Sequence, residues 1–220
     1  MNDKDILKCV DHTLLAATAT WCEIAKLCDE AVKFDTASVC VPPNYIKRIR
    51  EAYPSMNICT VIGFPLGYYT SVAKLAETKQ ALEDGADEFD MVINVSDVKN
   101  GDFKSVEEEI KALKHAVGSK ILKVIIETCY LTEDEKIGVC KAVTNAGADY
   151  IKTSTGFGTA GATIADVKLF KDNIGSDVKI KAAGGIRTRE DMVEFINEGC
   201  SRLGTSSAIK ILAGAKSEGY

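Results

Sequence analysis

Short β-branched runs alternate with longer stretches of helical period along the chain, and this alternation limits the possible folds most strongly. Strands separated by amphipathic helices are typical of a parallel sheet, because each crossover helix returns the chain to the same edge. Helical segments such as 20–34 and 71–84 fill the intervals between strands. The sequence predicts eight strands, at residues 10–12, 37–41, 58–62, 88–93, 122–126, 150–152, 178–182 and 202–204.

Eight strand–helix units in 220 residues fit a compact α/β fold, a TIM (β/α)8 barrel that forms one domain over residues 1–220. The phrases EDGADEFD, TNAGADYIK and NEGCSRLG each pass from a helix end through glycine into a strand, which indicates equivalent structural units. A doubly wound open sheet is the alternative fold. That fold more often carries a GxGxxG turn after its first strand, and this chain has none there.

Composition excludes several classes of protein. A formal net charge of -5 argues against nucleic acid as a main partner, since phosphate backbones are bound by clustered positive charge. The N-terminus lacks the apolar core of a signal peptide, and no run reaches the roughly 18 apolar residues of a membrane span. We therefore expect a cytoplasmic protein with no membrane partner. The 8 cysteines are scattered singly, which predicts reduced thiols without a disulfide framework.

Charged residues inside the predicted strands are the informative exceptions, because parallel strands covered by helices are usually apolar. A strand end in solvent or a structural ion pair can explain any single one of them. Their distribution over four neighbouring strands favours a functional site instead. These residues are Asp90, Lys123, Glu127, Lys152, Lys179 and Lys181.

Two lysines are predicted to meet in the barrel lumen. Adjacent strands run about 4.8 Å apart, so Lys152 and Lys181 approach each other if both face inward. Repulsion and burial disfavour the charged form of lysine, so one amine becomes a nucleophile suited to Schiff-base chemistry. Asp90 can move protons across the lumen, and Lys123 completes the buried charge balance. Lys179 shares the parity of Lys181, but Lys181 lies nearer the catalytic, C-terminal end of its strand.

Two glycine-rich loops follow the last two predicted strands, where TIM barrels often bind phosphate. Glycines let the backbone approach an anion closely, and the second loop leads into a helix N-terminus that favours negative charge. Tight loops without a ligand are the alternative interpretation, which two consecutive loops make weaker. The candidate phosphate-binding residues are Gly184, Gly185, Ile186, Arg187, Gly204, Thr205, Ser206 and Ser207.

Histidine is scarce, and its scarcity bears on the mechanism. Only His12 and His115 are present, whereas a catalytic metal site usually needs several histidine or carboxylate ligands. We expect no metal, with His12 packed beside Asp11 rather than serving as a ligand.

Six segments together resemble the deoxyribose-phosphate aldolases: VDHTLL, DEFDMVIN, KVIIETCYL, YIKTSTGFGTAGAT, IKAAGGIRT and RLGTSSAIKIL. They extend almost from end to end, in the family's order and spacing. The resemblance implies a metal-independent, class I lyase on a TIM barrel without a cofactor. Such an enzyme reversibly cleaves 2-deoxy-D-ribose 5-phosphate to acetaldehyde and D-glyceraldehyde 3-phosphate, as expected in nucleoside salvage.

The resemblance also implies roles for individual residues. Lys152 forms the imine, Lys181 perturbs it, and Asp90 relays protons. Asp11 and Thr13 line the sugar end of the site, and the phosphate lies against the two glycine-rich loops. Further substrate contacts are expected from Lys123, Thr155 and Gly156.

One departure from the family pattern concerns phosphate. Some members carry a lysine after the IKTSTG block that helps to bind it, and Phe157 occupies that position here. Activity on unphosphorylated deoxyribose is therefore a hypothesis, and Cys40, at the end of a predicted strand, raises the separate question of resistance to aldehydes.

Three expectations remain open at the level of sequence. Another Schiff-base phosphosugar aldolase or a transaldolase-like enzyme carries the same lysine and phosphate loops. A non-catalytic phosphosugar-binding barrel, with lysines that only balance buried carboxylates, is the more distant alternative. For assembly we expect a homodimer, since barrels of this kind commonly pair through exposed helices.

Overall fold

The computed structural model describes residues 1–214, and these form a closed barrel of eight parallel strands in sequence order. The first strand pairs with both the second and the eighth, which closes the sheet. Every predicted strand is present, with ends that agree to within two residues. The strands are β1 Val10–Thr13, β2 Ser38–Val41, β3 Ile58–Ile62, β4 Glu88–Val92, β5 Ile121–Ile125, β6 Tyr150–Lys152, β7 Lys179–Ala183 and β8 Cys200–Thr205.

Ten α-helices and two short 3-10 helices connect and cover the strands within residues 1–214. The 3-10 helices are Pro43–Tyr45 and Thr128–Tyr130. The α-helices are α1 Asp3–Leu7, α2 Trp21–Phe34, α3 Ile46–Ala52, α4 Ser71–Glu83, α5 Val95–Lys99, α6 Phe103–Val117, α7 Glu133–Asn145, α8 Ile164–Asn173, α9 Arg189–Glu198 and α10 Ala208–Leu212. None of these helices is long and apolar enough to cross a bilayer. The prediction of one domain over 1–220 extends past the described range.

Local sequence sets where the main helices begin. The Thr20 hydroxyl accepts the backbone N–H of Glu23, and the Glu23 carboxylate accepts the backbone N–H of Thr20 at 2.8 Å, so α2 starts with a capping box. Thr132 plays the same part for α7, and Thr188 with Asp191 for α9. Each cap satisfies N–H groups that the first turn would otherwise leave unpaired.

Strand parity separates the core from the lumen. Phe89 and Met91 of β4 are fully buried in the main hydrophobic core against the helices. Glu88 and Asp90 of the same strand are also buried, but they bind charged groups inside the barrel. Alternate residues of a strand point to opposite faces, so the apolar outer shell and the charged lumen come from the same strands.

Candidate active site

Asp90 is the centre of the charged lumen. Its Oδ1 accepts a hydrogen bond from Lys123 Nζ at 2.8 Å, and its Oδ2 accepts from Lys152 Nζ at 2.7 Å and Lys181 Nζ at 2.6 Å. Burial alone would raise the pKa of Asp90, but the three lysine charges outweigh burial and hold that pKa well below its ordinary value. The predicted meeting of Lys152 and Lys181 is confirmed, and a shared carboxylate oxygen bridges them.

Lys181 is an inward-facing, fully buried lysine of β7, whereas Lys179 is exposed at the start of that strand. Burial favours the neutral amine of Lys181, but Asp11 and Asp90 together outweigh burial and raise its pKa. Lys181 therefore stays charged at neutral pH. Gly204 of β8 gives this side chain room, because a Cβ there would lie 3.1 Å from Lys181 Cε.

A second carboxylate layer lies below Asp90. The Asp11 carboxylate accepts hydrogen bonds from Lys181, from Arg202 and, at 2.7 Å, from the Ser38 hydroxyl. Its pKa is lowered because these buried cations outweigh the effect of burial. Asp11 thus lies in the packed interior and not among the residues that line the cavity at the barrel mouth.

Lys123 belongs to the same interior layer. Its Nζ lies 2.6 Å from Glu88 Oε2 and 3.6 Å from Asp11 Oδ2, in addition to its contact with Asp90. Burial opposes its charge, but the surrounding carboxylates raise the pKa of Lys123 well above its ordinary value. The structure places this lysine away from the cavity lining, so of the two sequence-based interpretations it favours charge balance over substrate contact.

The hydrogen-bonded network contains four cations and three carboxylates. The cations are Lys123, Lys152, Lys181 and Arg202, and the carboxylates are Asp11, Glu88 and Asp90. Loss of one proton leaves the network electrically balanced. Lys152 is the only one of the four cations that lines the cavity, so it is the amine that substrate can reach.

A cavity of about 260 Å³ opens above this network at the carboxyl ends of β6, β7 and β8. Lys152 lies at its floor, and the loops that follow these strands form its walls. Its lining includes Thr13, Leu15, Lys152, Thr155, Gly156, Phe157, Gly158, Thr159, Ala160, Gly161, Ala183, Gly184, Gly185, Ile186, Arg187, Gly204, Thr205, Ser206 and Ser207.

The loop after β7 presents backbone to the cavity. Gly184 and Gly185 have φ of 78° and 75°, a left-handed conformation that glycine adopts without steric cost. Gly161 of the β6 loop packs against this turn so closely that a Cβ there would lie 2.3 Å from Gly184 O. Arg187 is exposed at the mouth, and its backbone N–H donates to Asp191 at 2.9 Å.

The loop after β8 supplies hydroxyl groups. Thr205 and Ser207 are buried, Ser206 is partly exposed, and all three line the cavity. Ser207 N donates to Thr205 Oγ1 at 3.1 Å, which shapes the turn. The following helix, α10, has 5 residues, so the loop groups contribute more than a helix dipole to any anion site here.

Two threonines of the predicted site also line the cavity, but their hydroxyl protons are used within the protein. Thr13 Oγ1 donates to Asp11 O at 2.7 Å. Thr155 Oγ1 donates to the carboxylate of Glu127. Each hydroxyl therefore offers the cavity its oxygen as an acceptor, and not its proton as a donor.

Glu88, Arg202 and Glu127 bind the site residues. Glu88 and Arg202 were not singled out from the sequence, and Glu127 was counted among the charged strand residues without a role of its own. Glu88 lies two residues before Asp90, and Arg202 two residues before Gly204, so strand parity was an available signal for both. Arg202 Nη1 and Nη2 lie 2.9 and 3.0 Å from the Glu88 carboxylate. Glu127 depends on a left-handed backbone, which the sequence does not signal.

Two groups of possible metal ligands occur within residues 1–214, with ligand atoms within 4.8 Å of one another: Cys40, Cys59 and Asp90, and Asp11, Cys59 and Glu88. Every carboxylate in these groups already binds a buried lysine or arginine. The absence of a metal requirement stays a prediction.

Amine chemistry at the C-terminal mouth of a TIM barrel defines the class of the protein as a lysine-dependent aldolase. The family model for DeoC/LacD family aldolase matches residues 6–215. The chain belongs to this family and is a class I aldolase, a carbon–carbon lyase.

Relatives and solved structures agree with this assignment. A deoxyribose-phosphate aldolase from Clostridium botulinum (strain Alaska E43 / Type E3) is 66% identical, with 100% of both chains covered. A second one, from Clostridioides difficile (strain 630), is 57% identical over 99% of this chain and 100% of its own. The tetrameric structure of deoxyribose phosphate aldolase from Aeropyrum pernix superposes with a TM-score of 0.87 at 31% identity, covering 97% and 92% of the two chains.

Proposed function

We propose that this aldolase cleaves 2-deoxy-D-ribose 5-phosphate reversibly to acetaldehyde and D-glyceraldehyde 3-phosphate, with Lys152 as the Schiff-base nucleophile. The two relatives described above are deoxyribose-phosphate aldolases, which supports this substrate. One structural observation carries the assignment of the nucleophile. Lys152 Nζ lies at the cavity floor and hydrogen bonds to Asp90, which Lys181 and Lys123 keep ionised.

Imine formation begins when the neutral Lys152 amine attacks the aldehyde carbon of the open-chain sugar. The proton that Lys152 gives up can travel along its 2.7 Å hydrogen bond to Asp90 Oδ2. While Lys152 is charged, Asp90 is a weak base, because three cations stabilise its carboxylate. Transfer of that proton neutralises Lys152 and Asp90 together. The Asp90 carboxylic acid then returns the proton to the carbinolamine hydroxyl, which leaves as water when the imine forms.

Cleavage then breaks the bond between C2 and C3 of the sugar. The 3-hydroxyl gives its proton to the Asp90 carboxylate, directly or through water, and its oxygen becomes the aldehyde of glyceraldehyde 3-phosphate. The bonding electron pair moves to C2 to form the Lys152 enamine. Protonation of C2 gives the imine of acetaldehyde, and water hydrolyses it to release acetaldehyde and the free amine. Lys181 keeps its proton throughout and stabilises negative charge on Asp90.

The phosphate end is assigned to the glycine-rich wall of the cavity opposite the lysine. The proposed contacts are Gly184, Gly185, Ile186, Arg187, Gly204, Thr205, Ser206 and Ser207. Phe157 forms an edge-to-face pair with Phe64 at 5.3 Å and is 47% exposed, so this position offers the phosphate no positive charge. Weaker discrimination against the unphosphorylated sugar is part of the proposal.

Product identification tests the proposal. Wild-type protein mixed with 2-deoxy-D-ribose 5-phosphate is expected to release acetaldehyde and glyceraldehyde 3-phosphate in equal amounts. Asp172→Asn, an exposed change on α8, serves as the matched control and should keep full activity. Lys152→Ala should release neither product. Other products from the wild type would point to a different phosphosugar aldolase.

We further propose that the enzyme works in the cytoplasm as a homodimer. All 8 cysteines are free thiols, which is typical of proteins kept in a reducing compartment. Leu66, Tyr68, Tyr69 and Val72 are each more than half exposed near the barrel mouth, and such apolar surface favours association. Light scattering should give about twice the chain mass of 23.7 kDa, and a value at the chain mass would refute the dimer.

A further inference from the structure

Glu127 lies two residues beyond the end of β5, where the chain leaves the barrel and enters the 3-10 helix Thr128–Tyr130. Its backbone is left-handed, with φ 51° and ψ 68°, a conformation that costs free energy for a residue with a long side chain. Its side chain is almost fully buried. A strained backbone that presents a buried carboxylate indicates a functional constraint.

The Glu127 carboxylate is bound by the loop that follows β6. Its Oε1 accepts the backbone N–H of Thr155 at 3.1 Å, and its Oε2 accepts the Thr155 hydroxyl. That hydroxyl in turn accepts the backbone N–H of Phe157 at 3.0 Å. The absence of a side chain at Gly158 lets the loop close around the carboxyl group, since a Cβ there would lie 3.1 Å from Glu127 Cδ.

Burial of the Glu127 carboxyl group makes its contact with Thr155 more important. It raises the pKa of Glu127, and the two hydrogen bonds from Thr155 oppose that rise. A buried carboxylate is costly unless hydrogen bonds replace its lost water, and here one residue supplies both bonds. If Thr155 moved away, the buried Glu127 carboxylate would lose both of these hydrogen bonds, so the contact holds Thr155 in place.

The loop 155–158 forms one wall of the cavity above Lys152. Lys152 itself is held differently, by the strand pairing of β6 with β5 and β7 and by the bond from Ile126 N to Lys152 O at 3.1 Å. Loss of the Glu127 contact should therefore loosen the wall while the lysine stays in place. A change at Glu127 should therefore alter substrate binding and leave the reaction at Lys152 unchanged.

We propose that Glu127 is a positioning residue that sets the affinity of the cavity for its sugar phosphate by fixing the loop 155–158 through Thr155. The inference rests on the function proposed above, because it takes a phosphosugar as the cavity's ligand. It assigns Glu127 to substrate affinity and leaves imine formation to Lys152.

Glu127→Gln and Thr155→Val break the contact from its two sides. In each variant KM for 2-deoxy-D-ribose 5-phosphate should rise about tenfold, as expected when a hydrogen bond to a charged group is lost. We expect kcat to stay within about threefold of wild type, because uniform binding and not the chemical step is affected. Borohydride trapping of acetaldehyde should proceed at the wild-type rate.

Three further variants sharpen the test. The double variant Glu127→Gln with Thr155→Val should be no worse than Thr155→Val alone. Both changes remove the bond between the Thr155 hydroxyl and Glu127, and only Thr155→Val also removes the bond from Phe157 N. Thr155→Ser keeps the hydroxyl donor and should restore the wild-type KM. Glu108→Gln, an exposed change on α6, controls for loss of a carboxylate and should leave both constants unchanged.

An unchanged KM in Glu127→Gln, or additive effects in the double variant, would overturn the inference. So would a fall in kcat and trapping with KM unchanged, which would place Glu127 in the chemistry at Lys152. If Glu127→Gln fails to fold, Glu127→Asp decides, because it keeps the charge, tolerates the left-handed backbone and is too short to hold Thr155 in the same position. Failure of the proposed function is distinguishable, since the wild type would then neither cleave the sugar nor trap acetaldehyde.

Discussion

Replacing Asp90 with asparagine removes the carboxylate on which three buried lysines converge. In the wild type, Lys123, Lys152 and Lys181 all lie within 2.8 Å of its oxygens, and Asp90 is fully buried. An amide of the same shape has one acceptor oxygen and turns an NH₂ donor toward the remaining ammonium groups. Four cations then face two carboxylates.

The expected cost is large. Leaving a buried charge without its partner destabilises a protein by about 3–5 kcal/mol, so the free energy of unfolding of Asp90→Asn should fall by about that amount at pH 7. Activity should fall by about 10²–10⁴ in kcat, the usual contribution of a positioned proton carrier. Urea unfolding followed by circular dichroism, with a steady-state cleavage assay, measures both quantities.

The pH dependence of the difference in free energy of unfolding between wild type and Asp90→Asn tests whether the charge of Asp90 is its cause. The pKa of Asp90 is lowered in the folded state, so its contribution to stability is present above its ordinary pKa and is lost as pH falls. The gap between wild type and Asp90→Asn should therefore narrow by about 1 kcal/mol at pH 3, given an unfolded pKa of about 3.9. A gap under about 1 kcal/mol at pH 7, or one that widens in acid, would refute the charge argument.

Three further changes follow from the geometry. Phe157→Lys should raise the preference for the phosphate ester over free deoxyribose, measured as the ratio of kcat/KM for the two sugars; a strong preference already present in the wild type would contradict the account of Phe157. Gly204→Ala places a Cβ 3.1 Å from Lys181 Cε and should lower kcat about tenfold while the melting temperature changes little. A wild-type kcat in this variant would show that the Lys181 side chain can shift without loss of activity. Cys40 is fully buried, so iodoacetamide should label exposed Cys22 in the folded protein and leave Cys40 unmodified, as peptide mapping would show; modification of Cys40 would revive the question of aldehyde sensitivity.

The sequence predicts the barrel well because two local signals agree. Apolar runs of strand length alternate with helices whose first turns carry their own caps, as Thr20 and Thr132 show. Strands β3 and β6 lie at the predicted residues. The strands predicted with least sequence signal, β1 and β8, are longer than expected, because their pairing with each other is a long-range contact that closes the sheet.

The candidate site is predicted in part. Parity places Asp90, Lys152 and Lys181 in the lumen, since alternate residues of a strand share a face. Depth along the barrel axis is a different quantity, and parity carries no information about it. The resemblance places Asp11 and Lys123 at the substrate, and charge balance is the other prediction for Lys123. In the structure both bind buried charges and neither lines the cavity.

The central claim is that Lys152 is the nucleophile, and intact mass after treatment with acetaldehyde and sodium borohydride tests it most directly. We expect a reduced two-carbon adduct that maps to Lys152 and vanishes in Lys152→Ala. The Lys181→Ala variant should still form the adduct on Lys152, but more slowly. In the wild type the Lys181 amine hydrogen bonds to Asp90 and does not attack the aldehyde. An adduct on Lys181 in the wild type would exchange the two roles, and no adduct at all would contradict the Schiff-base account.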